Sequence, residues 1–576
     1  MDKQILEALL KTLRRPSRYI NHELNSYPAD LSAEFSVCLC YPDIYDIAST
    51  YLNIEILYGL INEKKLARCE RCYMPADDLK APLIQNHLPL FSLATHSPLI
   101  SFDIISFFIE SELAITNVLS MMSLAEINCF AKEREETFPL IVGCGSALSN
   151  PEPFCDFFDL FILGDEEETI EDIINVCKKN KGKTSKKNLL RALADIDGVY
   201  VPSLYNVEYF ENGAVRSINP LDGVKPLVKK RILNLETAFF PQRKIIPFAD
   251  NSHCKLDIEI SRGCVGKCRF CKAAKYASPY RQRKFNDLLS FVKTGTESSG
   301  CEDVYFSSLA GGSHDNLDEL LIKTNEMFPQ NKLNVFLPPL RISERAVKIK
   351  QYVNPTKKHF IVFTPEAGTN RLRNVIGKYL SDKQILNVLA DAYRAGWENI
   401  KLYFMIGLPT ETTEDLAGIA EMIKAAKKGE KKLKFTVIIA PFVPKPQTPF
   451  QWVAMERPEI IEEKIKYLKS VTKADVKAHN HFASLIETLI AKGSRKVGAV
   501  IYKAWQKGAV YDRLSDKFNA DIWTKSIKET GINLDFYVHR QSDVDEVFAW
   551  DHLHFGTDKK DLLADWIKGI NETDEP

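Results

Sequence analysis

Ile258-Glu259-Ile260-Ser261-Arg262-Gly263-Cys264-Val265-Gly266-Lys267-Cys268-Arg269-Phe270-Cys271 runs from strand-type alternation into a glycine-containing loop that carries three thiols at C-x3-C-x2-C spacing. One loop of that length can wrap a single inorganic cluster. Cysteine thiolates hold cubane 4Fe-4S clusters, which take four ligands, so three local cysteines leave one iron open to a small molecule. Phe270, just ahead of the third thiol, would shield one side of such a cluster, and burial around a cluster tunes its potential. On spacing alone two other readings stay open: a zinc knuckle that takes a fourth ligand from His253 or Cys254, and chance spacing of cysteines.

Downstream, strand-like runs recur near 303–308, 333–337, 359–364, 399–406 and 434–440 with helical stretches between them. With the strand before Cys264 they make six. The C-x3-C-x-F-C pattern after a strand resembles the radical S-adenosylmethionine (SAM) superfamily, and the resemblance implies a central partial (β/α)6 barrel with its reactive groups at the carboxyl ends of the strands. It also implies a 4Fe-4S cluster on Cys264, Cys268 and Cys271, with SAM on the open iron.

The strand ends carry further parts of this likeness. Gly311 and Gly312, after Ser307 and Ser308, stand where the superfamily often has G-G-E for the methionine amine, but the carboxylate is missing. Arg341 suits SAM's carboxylate through a bidentate contact. Glu366, in Thr364-Pro365-Glu366-Ala367-Gly368-Thr369-Asn370-Arg371-Leu372-Arg373, can accept from both ribose hydroxyls. Gly407-Leu408-Pro409-Thr410-Glu411 is similar to the adenine-contacting segment. Together with Phe442-Val443-Pro444-Lys445-Pro446-Gln447-Thr448-Pro449-Phe450-Gln451-Trp452, Asn150-Pro151-Glu152-Pro153 and Trp550-Asp551-His552, these motifs resemble one group: radical SAM proteins with an N-terminal cobalamin-binding-like domain.

Upstream, a short amphipathic helix (Ile5, Leu6, Leu9, Leu10, Leu13) precedes strand-loop-helix units with strands at Phe35–Cys40, Leu99–Ile105, Leu140–Val142 and Leu160–Leu163. Such alternation predicts an α/β, Rossmann-like, doubly wound domain over residues 1–180, with ligands at the strands' carboxyl ends. The loop Asp43-Ile44-Tyr45-Asp46-Ile47-Ala48 falls where cobalamin-binding domains carry D-x-H-x-x-G, with Tyr45 in place of the histidine. A neutral phenol ligates cobalt poorly, so imidazole ligation is excluded there, and the tyrosine ring is instead a candidate to pack beside a corrin. Gly143 and Gly145 resemble the glycine turns set against that cofactor's tail, which keeps cobalamin as an open third cofactor. Cys69 and Cys72 form a C-x2-C pair with no second pair at zinc-finger distance.

Lys178 to Lys187 is a basic surface segment. Residues 181–250 read as a bridging β-rich segment with an Asn212-Gly213 hairpin turn, 251–455 as the barrel, and 456–576 as an α-helical C-terminal region. That last region holds His479, His481, His539, His552 and His554, which suggest metal or proton-transfer duty against the plainer reading of surface and core histidines. Trp505, Tyr511, Arg513, Phe518 and Trp523 lie there too, mostly as core expected.

Lys plus Arg and Asp plus Glu balance at 76 each in 576 residues, so no global field draws the chain to nucleic acid or an anionic membrane. The 13 cysteines have no disulfide-framework rhythm and, with an oxygen-sensitive motif, point to a reducing cytoplasm. No run of about 18 apolar residues occurs. The expectation is a cytoplasmic radical SAM enzyme, supplied with electrons by a one-electron reductant such as flavodoxin or ferredoxin, acting on an unidentified substrate. Methyl or methylthio transfer to RNA or a ribosomal protein, and a non-catalytic iron-sulfur regulator, are the alternatives.

Overall fold

The computed structural model describes residues 3–248, 255–328, 333–336, 342, 360–429 and 432–571. The first domain is a six-stranded sheet of β1 (Ser36–Tyr41), β2 (Arg68–Tyr73), β3 (Ile104–Phe108), β4 (Leu140–Cys144), β5 (Leu160–Ile162) and β6 (Val199–Tyr200). The spatial order is β2-β1-β3-β4-β5-β6, parallel throughout except for β6 on β5. Helices such as Leu52–Glu63, Ile115–Leu124 and Glu166–Asn180 join the strands, and every residue of β1, β3 and β4 is buried, which is why those strands read as apolar runs. β3 begins at Ile104 rather than Leu99, because Leu99–Ser101 is spent on a single 3-10 turn. β2 escaped the sequence reading: its Arg-Cys-Glu-Arg-Cys-Tyr run is polar, yet it is buried by internal pairing. Arg71 pairs with Glu23 beneath the Tyr58 ring, and Glu70 accepts from Ser92 and Thr95. Cys69 and Cys72 are ordinary buried thiols of that strand.

The bridging segment supplies the expected hairpin, β7 (Tyr205–Tyr209) against β8 (Val215–Pro220), and then β9 (Val228–Lys229). β10 (Leu256–Glu259) leads into β11 (Ser261–Arg262), which pairs with β12 (Arg281–Gln282). The barrel strands run parallel in two hydrogen-bonded sets, β10-β13-β14 with β13 at Asp303–Ser307 and β14 at Asn334–Phe336, and β15-β16-β17-β18. In the second set β15 is Ile361–Glu366, β16 Asn399–Ile406, β17 Lys434–Pro441 and β18 Asp475–Ala478. β16 and β17 alternate buried and half-buried residues along their length, one face under the helices Asp382–Arg394, Thr413–Gly429 and Pro458–Val471. β18 is a seventh parallel strand; it is short, polar and largely exposed, so periodicity did not reveal it.

The C-terminal region is helical, as expected; Pro458–Val471 covers the barrel, whereas the helices His481–Ala491, Val497–Gln506 and Ala520–Thr530 pack on the first domain. Leu485, Leu489, Val500, Ile501 and Trp523 share one core with that domain's strands. Asn150 Nδ2 donates to Ala491 O (2.9 Å) and Gly493 O (2.8 Å), and Trp505 Nε1 to Ser120 Oγ (3.0 Å). Glu152 receives Arg495 at 2.7 Å and the Tyr200 hydroxyl, with His552 at 3.6 Å. The Asn150 to Pro153 and Trp550 to His552 motifs are therefore two sides of a buried domain joint. A last strand, β19 (Leu553–His554), pairs with β9.

Candidate active site

The thiol loop begins where β11 and β12 close its base, Ser261 opposite Gln282 and Arg262 opposite Arg281. Gly263 sits at φ +89°, and a Cβ there would lie 2.6 Å from Pro279 O, so the turn admits only glycine. Cys264, Cys268 and Cys271 follow, each partly exposed, whereas the cysteines of the first domain are all buried. Burial pushes the Cys271 thiol up, while the amides of Ala273 and Ala274 hydrogen-bond to its sulfur and favour the thiolate. Cys264 and Glu366 both lie close enough to act on it electrostatically. Among the described residues no three His, Cys, Asp or Glu side chains converge as ligands of one ion. A cubane takes one thiolate per iron and so spreads its ligands, which suits three separate, accessible thiols on one loop. His253 and Cys254, the zinc-knuckle partners, lie outside the described residues, as does Arg341.

Several distant segments hold this loop. Arg269 is buried and donates to Asn374 O (2.8 Å), Val375 O (2.9 Å) and Asp565 Oδ1 (2.9 Å), tying the loop to the segment after Glu366 and to the helix Lys559–Asn571. Gly377, at φ +70°, lets that segment approach so closely that a Cβ would stand 2.4 Å from Lys267 O. Lys230 Nζ donates to the carbonyls of Lys275 (2.9 Å), Tyr276 (2.7 Å) and Ser278 (2.6 Å), just past Cys271. Burial depresses that ammonium to about 7, against the pull of Asp165. Lys272 reaches Glu112 at 3.2 Å, and Lys445, from the Phe442 to Trp452 motif, reaches the same carboxylate at 2.9 Å. Despite burial, these two ammonium groups hold the Glu112 carboxyl down at about 2. Lys230, Glu112 and Asp565 have no signal in sequence spacing and were missed.

At the strand ends, Glu366 closes β15 at φ +71°, beside a register shift between Phe363 and Glu366. Such a conformation costs a glutamate about 1–3 kcal/mol, and strain of this kind collects at functional sites. Lys378 Nζ pins the side chain, 3.0 Å from Glu366 Oε1 and 2.8 Å from Thr364 Oγ1. Gly311 and Gly312 form a 3-10 turn after β13, where Ser308 Oγ meets Ser261 Oγ at 2.6 Å. Gly407 follows β16 at φ +77°; its N–H donates to Glu411, and Ile461 lies 2.9 Å from where a Cβ would stand. Phe270 is half-buried against the main core.

The residues assigned to cobalamin behave differently. Tyr45 is buried, donates to Glu23 Oε1 at 2.7 Å and stands edge-on to Tyr73. A Cβ on Gly143 would strike the Phe161 ring at 2.6 Å, and one on Gly145 would lie 2.8 Å from Ile109 O. These positions are filled by the protein's own atoms and form no cradle for a cofactor tail. The C-terminal segment also covers the end of β1: Tyr511 N–H donates to Asn117 Oδ1 (2.7 Å), whose Nδ2 holds Pro42 O (2.9 Å), and Arg513 meets Asp43 at 3.2 Å. The C-terminal histidines are dispersed: His539 binds Met455 O, His554 faces Asp558, and His552 lies in the Glu152 joint.

Between the first domain and the barrel lies a cavity of about 700 Å3, walled by the strand-end loops of β3, β4 and β5 on one side and by β10, β11, Gly263 and Ser307–Leu309 on the other. Arg262 crosses its edge. All five of its N–H donors are used, on Glu259 (2.8 and 3.1 Å), Asp165 (2.8 Å) and Glu167 (2.7 and 3.2 Å), while Arg281 adds a 2.5 Å contact to Asp165.

Comparison with known proteins agrees with this architecture. Residues 53–202 match the family described as "Radical SAM proteins, N-terminal", and 258–423 match "Radical SAM superfamily". An uncharacterized protein of Methanocaldococcus jannaschii is 26% identical over 386 residues, 66% of this chain and 77% of that one. A probable threonylcarbamoyladenosine tRNA methylthiotransferase of Archaeoglobus fulgidus is 26% identical over 207 residues, 33% of this chain and 48% of its own. Among solved structures, the radical S-adenosylmethionine methyltransferase TsrM of Kitasatospora setae, with cobalamin and a [4Fe-4S] cluster bound, superposes with a TM-score of 0.51 at 12% identity, over 86% of this chain and 99% of that one. At that identity the likeness is one of fold.

Proposed function

This chain belongs to the radical SAM superfamily, and from that premise we propose that it is an enzyme whose chemistry starts at the loop of Cys264, Cys268 and Cys271 and acts on a substrate admitted at the carboxyl ends of the barrel strands. Cys264, Cys268 and Cys271 would hold a 4Fe-4S cluster, which would supply the one-electron reducing chemistry that such enzymes direct at SAM. The observation that carries this reading is three partly exposed thiols on one loop, with Cys264 and the strained Glu366 close enough to Cys271 to act on it electrostatically.

The protein's own residues position and shield. The Ala273 and Ala274 amides favour the thiolate of Cys271. Glu366, oriented by Lys378, offers its second oxygen to ribose hydroxyls. Arg269, Lys230 and Lys272 keep the loop from opening, which limits water beside a reactive intermediate. The one-electron reductant is a partner of the flavodoxin or ferredoxin kind. A second reading, methylthio transfer to RNA or a ribosomal protein, draws support from relatives named as methylthiotransferases for tRNA and for ribosomal protein uS12. No step is assigned to cobalamin, because Tyr45, Gly143 and Gly145 do not fit it.

The test is anaerobic reconstitution with iron and sulfide, then incubation with SAM and dithionite. Release of 5'-deoxyadenosine by the wild type and not by Cys268→Ala is expected; its absence from a fully iron-loaded wild type refutes the proposal.

A further inference from the structure

The cavity between the two domains is walled by six carboxylates and two cations, Lys255 and Arg262. Three of the carboxylates, Asp165, Glu167 and Glu259, are spent on Arg262, helped by Arg281 and Arg283. The other three are under-matched. Among the described residues Glu110 receives only neutral donors, Asn53 Nδ2 at 3.0 Å and the Ser146 N–H at 3.3 Å. Glu166, at the start of a 15-residue helix, makes no side-chain hydrogen bond or ion pair among the described residues. Asp257 has the Ser307 side chain as a hydrogen-bond partner and Lys244 and Lys255 within electrostatic reach, but its Oδ1 is a buried oxygen with no hydrogen-bond partner. Lys255 acts on Asp257 electrostatically, while its ammonium lies over the Tyr305 ring at 3.8 Å. Tyr51, Leu52, Ile56 and Leu57 supply an apolar wall opposite.

A half-buried carboxyl with no cation of its own in contact is costly, and a cavity that retains three of them is arranged for something that compensates them. We propose that this cavity binds a ligand carrying a primary ammonium group, seated on Glu166 and Asp257 beside Glu110, with its apolar part against Tyr51 to Leu57. Gly263 and Tyr276 flank the thiol loop and line the same cavity, so the ligand lies next to the proposed centre of chemistry. Two molecules bring that group: the methionyl end of SAM, whose usual carboxylate is missing at Gly311-Gly312-Ser313, and an amine-bearing substrate.

The protonation states agree. Burial, with Glu167, Glu110 and Asp165 nearby and only Arg262 opposing, holds the Glu166 carboxyl well above the usual carboxylate range. Burial, with Glu55 nearby, lifts Asp257 to about 6 against the pull of Lys244 and Lys255 and the hydrogen bond with the Ser307 side chain. An arriving ammonium ionises the acid that meets it, so binding near pH 7 releases protons. Glu166→Gln keeps the neutral shape already present and should not disturb folding.

The experiment is anaerobic calorimetry on iron-loaded protein, with SAM and 1,4-diaminobutane as separate probes, in buffers of different ionisation enthalpy. At least one probe should release about one proton on binding the wild type, and should bind at least about tenfold more weakly to Glu166→Gln or Asp257→Asn, as expected for a lost charge-assisted hydrogen bond. Weakening of SAM identifies its methionyl end as the occupant; weakening of diaminobutane identifies a substrate amine. Unchanged affinities for both probes in both variants, binding without proton release, or stoichiometric cobalamin retained by wild type and variants alike would overturn the proposal. Iron content and 5'-deoxyadenosine release, measured in parallel, separate that result from failure of the radical SAM reading.

Discussion

Arg262→Met tests whether domain docking and cluster binding are one event. The guanidinium bridges Glu259 of the barrel to Asp165 and Glu167 of the first domain, two residues before Cys264, and only 15% of its side chain is exposed. Methionine keeps the stem and removes every hydrogen bond. Asp165 retains Arg281 and Glu259 retains Arg283, so the stranded group is Glu167, whose side chain is 5% exposed. Removing one partner of a buried pair costs about 3–5 kcal/mol, and the residual exposure of Arg262 places the expectation near the lower end, about 3 kcal/mol. Glu167→Gln in the Arg262→Met background removes the stranded charge and should restore about 2 kcal/mol. Urea unfolding of the wild type, both single variants and the double variant gives the coupling energy, and the iron-to-protein ratio after desalting gives loop integrity. A coupling energy under about 0.5 kcal/mol, or full iron retention in a protein destabilised by about 3 kcal/mol, would refute the linkage.

Cys264→Ala, Cys268→Ala and Cys271→Ala should each lose most bound iron and the brown colour, while Cys69→Ala and Cys72→Ala, in buried β2, keep it; equal iron in Cys268→Ala removes the cluster assignment. Glu366→Ala alone strands the 8%-exposed Lys378, so the informative variant is Glu366→Gln, which should weaken SAM binding by roughly 1.5–3 kcal/mol with iron unchanged; equal SAM affinity makes the pair structural. Burial lowers His552 from 6.5 to about 4, so below pH 6.5 the unfolded chain takes up a proton that the folded one refuses; stability is lost as pH falls toward 4, by about 3 kcal/mol in full. His552→Phe, still against Tyr200 and Tyr205, should remove that part of the slope in urea midpoints measured between pH 7 and 4.5; an unchanged slope contradicts it.

What the sequence made legible was local. The thiol loop is written in spacing, the β7–β8 hairpin in Asn212-Gly213, and β1, β3 and β4 in apolar runs forced by burial on both faces. β2 was hidden because its charges find partners such as Glu23 that lie far away in sequence. Tyr45 stood at the expected register, yet its direction is set by Glu23 and Tyr73, which no local pattern contains. Gly143 and Gly145 signalled close approach; the protein atoms that approach are the Phe161 ring and the Ile109 backbone. The C-terminal helices announced their periodicity but not which domain they bury, a choice made by Asn150, Glu152 and Ser120 more than 300 positions earlier.

The ties around the thiol loop share a physical character that bears on how the site assembles. Arg262 to Asp165 and Glu167, Lys272 to Glu112, and Arg269 to Asp565 are charged contacts with at least one partner buried, and each joins the loop to another part of the chain. Such pairs add little net stability over apolar residues of the same volume, but leaving one half unpaired is expensive. Their effect is therefore on specificity of docking: a first domain seated a turn away would strand Asp165, Glu167 and Glu112 together, several kcal/mol apart from the native arrangement. The same docking defines the cavity, because its walls come from β10 and β11 on one side and from the strand-end loops of β3, β4 and β5 on the other. Loop geometry and cavity shape are consequently fixed by one set of contacts, so a change that loosens the interface should alter cluster retention and ligand binding together.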